Sequence, residues 1–289
     1  MRFTIGVYLL ASLAGAQPDW GKVEIKAQKV SGSVYMLTGQ GGNIGVSVGE
    51  DGVLIVDDQF APLAAKIQAA IKGITDKPIK YVLNTHFHGD HTGGNPEFGK
   101  NSTIVAHENV RRRLLLPPTN PAQPTMTKAG LPVITFNDRV SVHFNGEDIR
   151  AFHAPQGHTD GDSLIYFTQS NVVHMGDDFF NGGFPYIDLG SGGSVRGYAA
   201  AVEKAISQFP ADAKVIPGHG PLSGIEDLKK FAAVIRDCIS IVESNLKSGK
   251  TAADMKKAKV LDTKYASWGT GFISSDRFID TLVQDLGKK

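Results

Sequence analysis

Apolar residues along this chain follow two different periods, and each period predicts one kind of element. Short runs that are apolar throughout, or that alternate with polar residues, lie between glycine-rich turns, and such runs are typical of β-strands. In the first half they predict strands over 22–30, 33–38, 43–49, 52–57, 79–83 and 104–106. Further along the chain, the same pattern predicts strands over 140–144, 149–154, 164–168 and 172–175.

Longer segments have apolar residues every three or four positions, which predicts helices. These segments cover 62–72, 108–116, 194–208, 225–246 and 274–286. Strands and helices arrive in mixed blocks, so we predict an α+β fold of the αββα type. Two mixed β-sheets should pack face to face with helices outside. We find no convincing inter-domain linker and therefore predict a single domain over 17–289.

The first sixteen residues predict a secretory signal peptide. Arg2 supplies a positive start, an apolar run covers 3–13, and Ala14-Gly15-Ala16 fits the small-residue rule for cleavage. The apolar run is too short for a membrane span, although a lipid-facing anchor or a buried N-terminal helix are alternatives. We expect a mature chain that begins at Gln17, in the periplasm or secreted, without stable membrane insertion.

Composition changes this picture little. The chain has 289 residues, of which 41% are hydrophobic and 20% charged, within the globular range. The net charge of +1 gives no basic surface that would favour nucleic acid as a partner. The single cysteine, Cys238, has apolar neighbours at helical spacing and is predicted to lie in the core. Nothing in the sequence fixes the oligomeric state.

Candidate chemistry is concentrated in one short segment after the predicted strand 79–83. His86, His88, Asp90 and His91 lie within six residues, followed by glycines that let the backbone turn tightly. Imidazole nitrogen and carboxylate oxygen are ligands that zinc accepts. His86 and His88 can face one side of the turn, and Asp90 and His91 the other, which suggests two adjacent metal ions.

This segment resembles the H-x-H-x-D-H signature of the metallo-β-lactamase superfamily. Three later motifs follow in the expected order, each after an apolar strand-like run, and they contain His158, Asp177 and His219. The resemblance extends from about position 32 to at least 219. It implies the superfamily's αββα fold and a small-molecule substrate for an exported hydrolase with two zinc ions per chain.

The resemblance also implies a role for each of these residues. His86, His88 and His158 would bind one zinc ion, and Asp90, His91 and His219 the other. Asp177 would bridge both ions, as its counterpart does in glyoxalase-II-like relatives, and we assign catalytic roles to Asp90 and Asp177. Asp178 competes with Asp177 for the bridging position. Asp57 resembles a supporting aspartate that holds the ligand turn by hydrogen bonds, although it could merely end a strand.

The remaining histidines, His107, His143, His153 and His174, lie outside the motifs, and we interpret them as structural or surface residues. Arg111, Arg112 and Arg113 are expected on a solvated helix face. The segment 117–132 contains five prolines and is predicted to form a long loop near the site entrance.

Substrate is the least determined feature. A hydroxide held between two zinc ions can attack a carbonyl carbon, and export favours β-lactams as the first substrate to consider. In cysteine-bearing zinc β-lactamases a lysine that holds the drug carboxylate follows the bridging position, and Phe180 stands in its place here. Apolar side chains could instead line a pocket, or belong to the core: Phe179, Phe180, Phe184, Tyr186 and Phe272.

Alternatives to β-lactam hydrolysis remain within and outside hydrolase chemistry. A lactonase or a thioester hydrolase would use the same site. An iron-dependent persulfide or oxygen oxidoreductase would need few ligands of the second set. A non-catalytic metal-binding protein would keep the ligands without turnover.

Overall fold

The structure is a computed structural model, and it describes residues 19–117 and 126–287. The predicted signal peptide, and 118–125 of the predicted proline-rich loop, lie outside the described residues. Within them, the strands form two sheets of seven and six strands.

The first sheet is mixed. Its strands, in spatial order, are β1 (Lys26–Ser31), β2 (Val34–Thr38), β3 (Ile44–Gly49), β4 (Gly52–Val56), β5 (Ile79–Leu83), β6 (Thr103–His107) and β7 (Ile134–Phe136). The strands β1 to β4 pair antiparallel, whereas β4 to β7 pair parallel. The carboxyl ends of β4 and β5 therefore lie at one edge, where the ligand turn begins.

The second sheet is also mixed. Its strands, in chain order, are β8 (Arg139–Phe144), β9 (Glu147–His153), β10 (Ser163–Phe167), β11 (Val172–His174), β12 (Lys214–Ile216) and β13 (Ser223–Gly224). Pairing is antiparallel except between β11 and β12. The segments after β11 and β12 thus leave this sheet at the same edge.

Nine α-helices lie within the described residues. They are α1 (Ala64–Lys72), α2 (Gly89–Thr92), α3 (Asn95–Phe98), α4 (Glu108–Leu114), α5 (Val195–Gln208), α6 (Ile225–Lys247), α7 (Ala252–Lys257), α8 (Asp262–Tyr265) and α9 (Ser275–Leu286).

Alternation along the strands divides the core into layers. In β4, Leu54 and Val56 belong to the apolar cluster shared by the two sheets, together with Ile165 of β10. Val53 and Ile55 point the other way and pack with α1. A third cluster joins the outer face of the second sheet to α5, α6 and α9. The predicted αββα sandwich is therefore confirmed.

Several element boundaries differ from those predicted. The first strand begins at Lys26 rather than at residue 22, because the chain turns at 20–22. The strands β7 and β13 were not predicted, and β12 was recognised only as the apolar, strand-like run before His219. The helices α7 and α8 were not predicted either, since helices of four to six residues are too short to show a clear period. Asn95 and Pro96 begin the short helix α3, although the sequence had favoured an irregular turn there.

No helix among the described residues has the length and apolar character needed to cross a membrane.

Candidate metal centre

The ligand turn starts where β5 ends and combines extended and helical backbone. His86 lies in a bend between β5 and α2, and His88, the residue before α2, has an extended conformation. Asp90 and His91 lie within α2. The short helix turns the backbone between His88 and His91, so the two pairs of ligands reach different parts of one small volume.

A first cluster combines two side chains of the ligand turn with two from segments that follow strands of the second sheet. Its members are His86, His88, His158 and Asp177, whose ligand atoms all lie within 4.8 Å of one another. The distance from His158 Nε2 to His88 Nδ1 is 2.8 Å. Oδ2 of Asp177 lies 3.6 Å from Nε2 of His158 and 3.8 Å from Nε2 of His86.

A second cluster lies on the other side of Asp177 and contains Asp90, His91 and His219. Nε2 of His219 lies 3.3 Å from Oδ2 of Asp90 and 3.4 Å from Nε2 of His91. Oδ1 of Asp177 lies 3.0 Å from Nε2 of His91 and 3.4 Å from Nε2 of His219. The two oxygens of Asp177 thus face different clusters, and the structure brings all seven predicted ligands together.

Hydrogen bonds outside the clusters determine which nitrogen of each imidazole faces inward. Nδ1–H of His91 donates to Asp57, and Nδ1–H of His158 donates to the carbonyl of Tyr186, at 2.7 Å each. Nε2–H of His88 donates to Asp188 at 3.1 Å. In the neutral form of each ring, the other nitrogen carries a lone pair that faces the clusters.

His86 follows the same rule through Thr85. The hydroxyl of Thr85 donates to Asp57 Oδ2 at 2.7 Å, so it can accept from His86 Nδ1, 3.0 Å away. Nε2 of His86 and Oδ1 of Asp177 are both buried, and neither atom makes a hydrogen bond within the described residues. Two lone pairs 2.8 Å apart, on His88 and His158, repel each other unless a cation lies between them. The donor set therefore fits a pair of metal ions.

The pKa values of the clustered side chains also indicate a site that favours cations. Burial lowers the pKa of His86, and it lowers the pKa of His158 to about 4, so both rings are neutral. Burial raises the pKa of Asp90, but His91 and His219 outweigh it and bring this pKa to about 2. Burial lowers the pKa of His219, yet Asp177 and Asp90 raise it to about 9. The carboxylates therefore create a negative potential that favours a bound cation.

A family model of the metallo-beta-lactamase superfamily matches residues 37–219. The chain belongs to this superfamily. Its members are mostly hydrolases, which supports an enzymatic activity. The matched segment includes all seven clustered ligands, and it ends on His219.

Curated proteins with similar sequences match part of the chain. A hydroxyacylglutathione hydrolase from Pelagibacter ubique is 28% identical over 162 residues, covering 54% of this chain and 58% of that protein. The alpha subunit of a 2,4-dinitroanisole O-demethylase from Nocardioides sp. is 25% identical over 179 residues, covering 60% of this chain and 52% of that protein. The chain thus spans about half the length of the curated relatives it matches.

Solved superfamily structures share the fold. A metallo-beta-lactamase from Pontibacter korlensis superposes with a TM-score of 0.61 at 16% identity, covering 74% of this chain and 99% of that one. The DIM-1 metallo-beta-lactamase gives a TM-score of 0.62 at 18% identity, covering 75% of this chain and all of that one (100%). At these identities the likeness concerns architecture.

Two glycines let neighbouring backbone approach the ligands of this superfamily site. A Cβ atom at Gly218 would lie 2.1 Å from Oδ1 of Asp177, and one at Gly42 would lie 2.1 Å from Cε1 of His91. Any side chain at either position would displace a ligand.

Residues beside the ligands have supporting positions. Asp57 is fully buried, and its carboxylate also accepts the backbone N–H of Thr85 at 2.7 Å. Asp178 lies outside both clusters and accepts the backbone N–H of His158 at 3.1 Å. Asp188, which orients His88, was missed, because no pattern in its segment distinguishes it from an ordinary loop aspartate.

The other histidines belong to neither cluster and have structural or surface positions. His107 and His153 stack on each other with ring centroids 3.8 Å apart. His174 donates to the carbonyl of Asn43 at 3.0 Å and so connects the two sheets. His143 is exposed beside Asp148.

The predicted pocket residues have three different environments. Phe180 is 9% exposed and its ring stacks on that of His219, with centroids 5.1 Å apart, so it packs against one of the clustered histidines. The pocket assignment of Phe184 is wrong, because this side chain is buried in the core between Phe278 and Trp268. Phe179, which the sequence left open between pocket and core, is buried there as well and packs on Phe231. Phe272 and Tyr186 lie on the open side.

Proposed function

We propose that this chain is a dinuclear zinc hydrolase that cleaves a carbonyl compound. The observation that carries the proposal is Asp177, whose two oxygens face two separate sets of imidazole nitrogens. His86, His88 and His158 would hold one ion, and Asp90, His91 and His219 the other. Zinc in such a site lowers the pKa of bound water toward about 7 and polarises a carbonyl oxygen.

The chain's own carboxylates would handle charge and protons. Asp90 is 30% exposed, and its low pKa keeps it ionised, so it can accept a hydrogen bond at the open side of the centre. Asp177 is 5% exposed and is held ionised by the surrounding imidazoles, although burial opposes this. On this basis we assign catalytic roles to Asp90 and Asp177.

For the substrate, we propose a small molecule with a cyclic amide or ester, and β-lactams are the first to test. Nucleic acid is a poor candidate because the net charge is only +1. A thioester is the second candidate, because one relative is a hydroxyacylglutathione hydrolase. A lactone is chemically close to both.

The test combines metal analysis with a hydrolysis panel. Protein reconstituted with zinc should hold close to two zinc ions per chain after dialysis, and it should hydrolyse a β-lactam, a lactone or a thioester. His86→Ala removes one of the proposed ligands and should lose turnover together with one zinc equivalent. One tightly held iron would support the oxidoreductase instead. Full zinc loading without turnover of any substrate would favour a non-catalytic metal-binding protein.

We further propose that the protein is exported to the periplasm or secreted. The Arg2 start, the apolar run and the Ala14-Gly15-Ala16 motif support this. Mass spectrometry of protein from the native host should find Gln17 at the N-terminus. Intact Met1 on most molecules in the cytosolic fraction would contradict export.

A further inference from the structure

The open side of the metal centre carries an exposed aromatic residue from the C-terminal part of the chain. Phe272 lies between α8 and α9, and 73% of it is exposed, the highest value among the large apolar residues of the described segments. Its ring meets that of Tyr186 edge to face, with centroids 6.4 Å apart. One exposed aromatic side chain is ordinary, but an exposed apolar surface that continues to a metal centre can form part of a ligand-binding groove.

Tyr186 connects Phe272 to the metal ligands. Its ring centroid lies 5.9 Å from that of His88 and 5.7 Å from that of His158. Phe272 and Tyr186 thus form a continuous apolar surface that runs outward from the first cluster. The non-reacting part of a substrate held at the centre would extend along it.

Arg277 places a positive charge on the same surface. Its guanidinium carbon lies 5.2 Å from the centre of the Phe272 ring, and Nη1 donates to the carbonyl of Phe272 at 3.3 Å. Across the described segments Arg277 forms no ion pair, whereas Arg113 and Arg236 are each paired with a carboxylate.

We propose that Phe272, Tyr186 and Arg277 form a substrate-binding subsite for a carboxylate attached to an apolar or aromatic group. The guanidinium would bind the carboxylate, and the two rings would contact the apolar part. The inference rests on the proposed hydrolase for its biological meaning, because it names the substrate class of that site.

A binding experiment tests the subsite without turnover. Zinc-loaded protein is titrated with phenylacetate and with its neutral counterpart phenylacetamide, and binding is followed by NMR. Arg277→Ala should weaken phenylacetate binding about tenfold, roughly the contribution of one exposed charge-assisted contact, and leave phenylacetamide unchanged. Arg277→Lys should recover part of the loss. Phe272→Ala should weaken both compounds.

The control is Arg236→Ala, which removes another exposed helical arginine and should change neither affinity. Equal binding of phenylacetate by wild type and Arg277→Ala would overturn the proposal, since a carboxylate bound only to zinc does not depend on Arg277. Phe272 and Arg277 are both exposed, so their truncation should leave the fold intact, and thermal unfolding of each variant checks this.

Kinetics then relates the subsite to the reaction. For 4-nitrophenyl hydrogen glutarate, Arg277→Ala should raise KM about tenfold with little change in kcat. For the uncharged 4-nitrophenyl valerate it should change neither. Absence of turnover in wild type would count against the hydrolase and leave the binding result to decide the subsite. A KM that rises equally for both esters would contradict the subsite.

Discussion

Asp57 and His91 form a buried hydrogen bond of 2.7 Å between carboxylate Oδ2 and imidazole Nδ1. Asp57 directly follows β4 and has a left-handed backbone, with φ of 63°. Its carboxylate also receives the backbone N–H and the hydroxyl of Thr85. One side chain therefore orients His91 and, through Thr85, also His86.

We expect Asp57→Asn to weaken zinc binding about 10–100-fold, most strongly for the ion that His91 would bind, as is typical when a residue that orients a metal ligand is changed. Asparagine tolerates positive φ, so the substitution tests the carboxylate rather than the backbone. Zinc affinity is measured by competition with a chromophoric chelator. Asp188→Asn is the matched variant for His88. It should weaken binding of the ion that His86, His88 and His158 would hold. Unchanged affinity in both variants would contradict the assigned orientation.

Asp177→Ala should reduce zinc affinity by more than the ~10–100-fold typical of orienting residues, because it removes an oxygen from each cluster. Asp178→Ala should have a milder effect on the metal. It should instead lower the free energy of unfolding by about 1–3 kcal/mol, since the backbone N–H of His158 loses its acceptor. Chelator competition and urea unfolding separate the two quantities. Equal or reversed effects on zinc would mean that Asp178 is the bridge.

The sequence predicted which residues come together in the two clusters better than it predicted their surroundings. Six consecutive residues supply four of the clustered side chains, and the other three follow strand ends, so a local pattern and one resemblance were enough to find them. Phe184 and Asp188 show the limit. Whether an aromatic residue in a loop faces solvent depends on what packs on it, and here the C-terminal Trp268 and Phe278 cover Phe184. Asp188 is separated from His88 by 100 residues, and no periodicity relates them.

The stacked rings of His107 and His153 predict a pH-dependent stability. Burial lowers the pKa of both, and for His107 the neighbouring His153 lowers it further. The two histidines contribute fully to the free energy of unfolding above pH 6.5, roughly the pKa of histidine in the unfolded chain. This contribution is lost as pH falls from there through the lower pKa values of the folded protein, because the unfolded chain then binds more protons than the folded one. We expect His153→Gln to reduce the fall in urea midpoint between pH 7.5 and 5.5. An identical fall in wild type and variant would contradict this.

Cys238 should be inert toward thiol reagents in the native protein. The side chain is fully buried in the core, and burial raises the pKa of its thiol to about 12, with a smaller contribution from Asp237. The thiolate that reacts is therefore scarce as well as inaccessible. Labelling with 5,5′-dithiobis(2-nitrobenzoate) should be negligible in buffer and should reach one thiol per chain in denaturant. Rapid labelling of folded protein would place Cys238 at the surface.

The two clusters take their ligands from both halves of the sandwich, with His86 and His91 following the first sheet and His158, Asp177 and His219 following strands of the second. The separation of the sheets, which the shared interior determines, therefore fixes the distance between these ligands. Natural selection for metal affinity would then act also on interior residues such as Leu54 and Ile165, which do not contact the metal. Variation among relatives at such positions should be restricted in volume, and a larger residue in one sheet should be accompanied by a smaller one in the other.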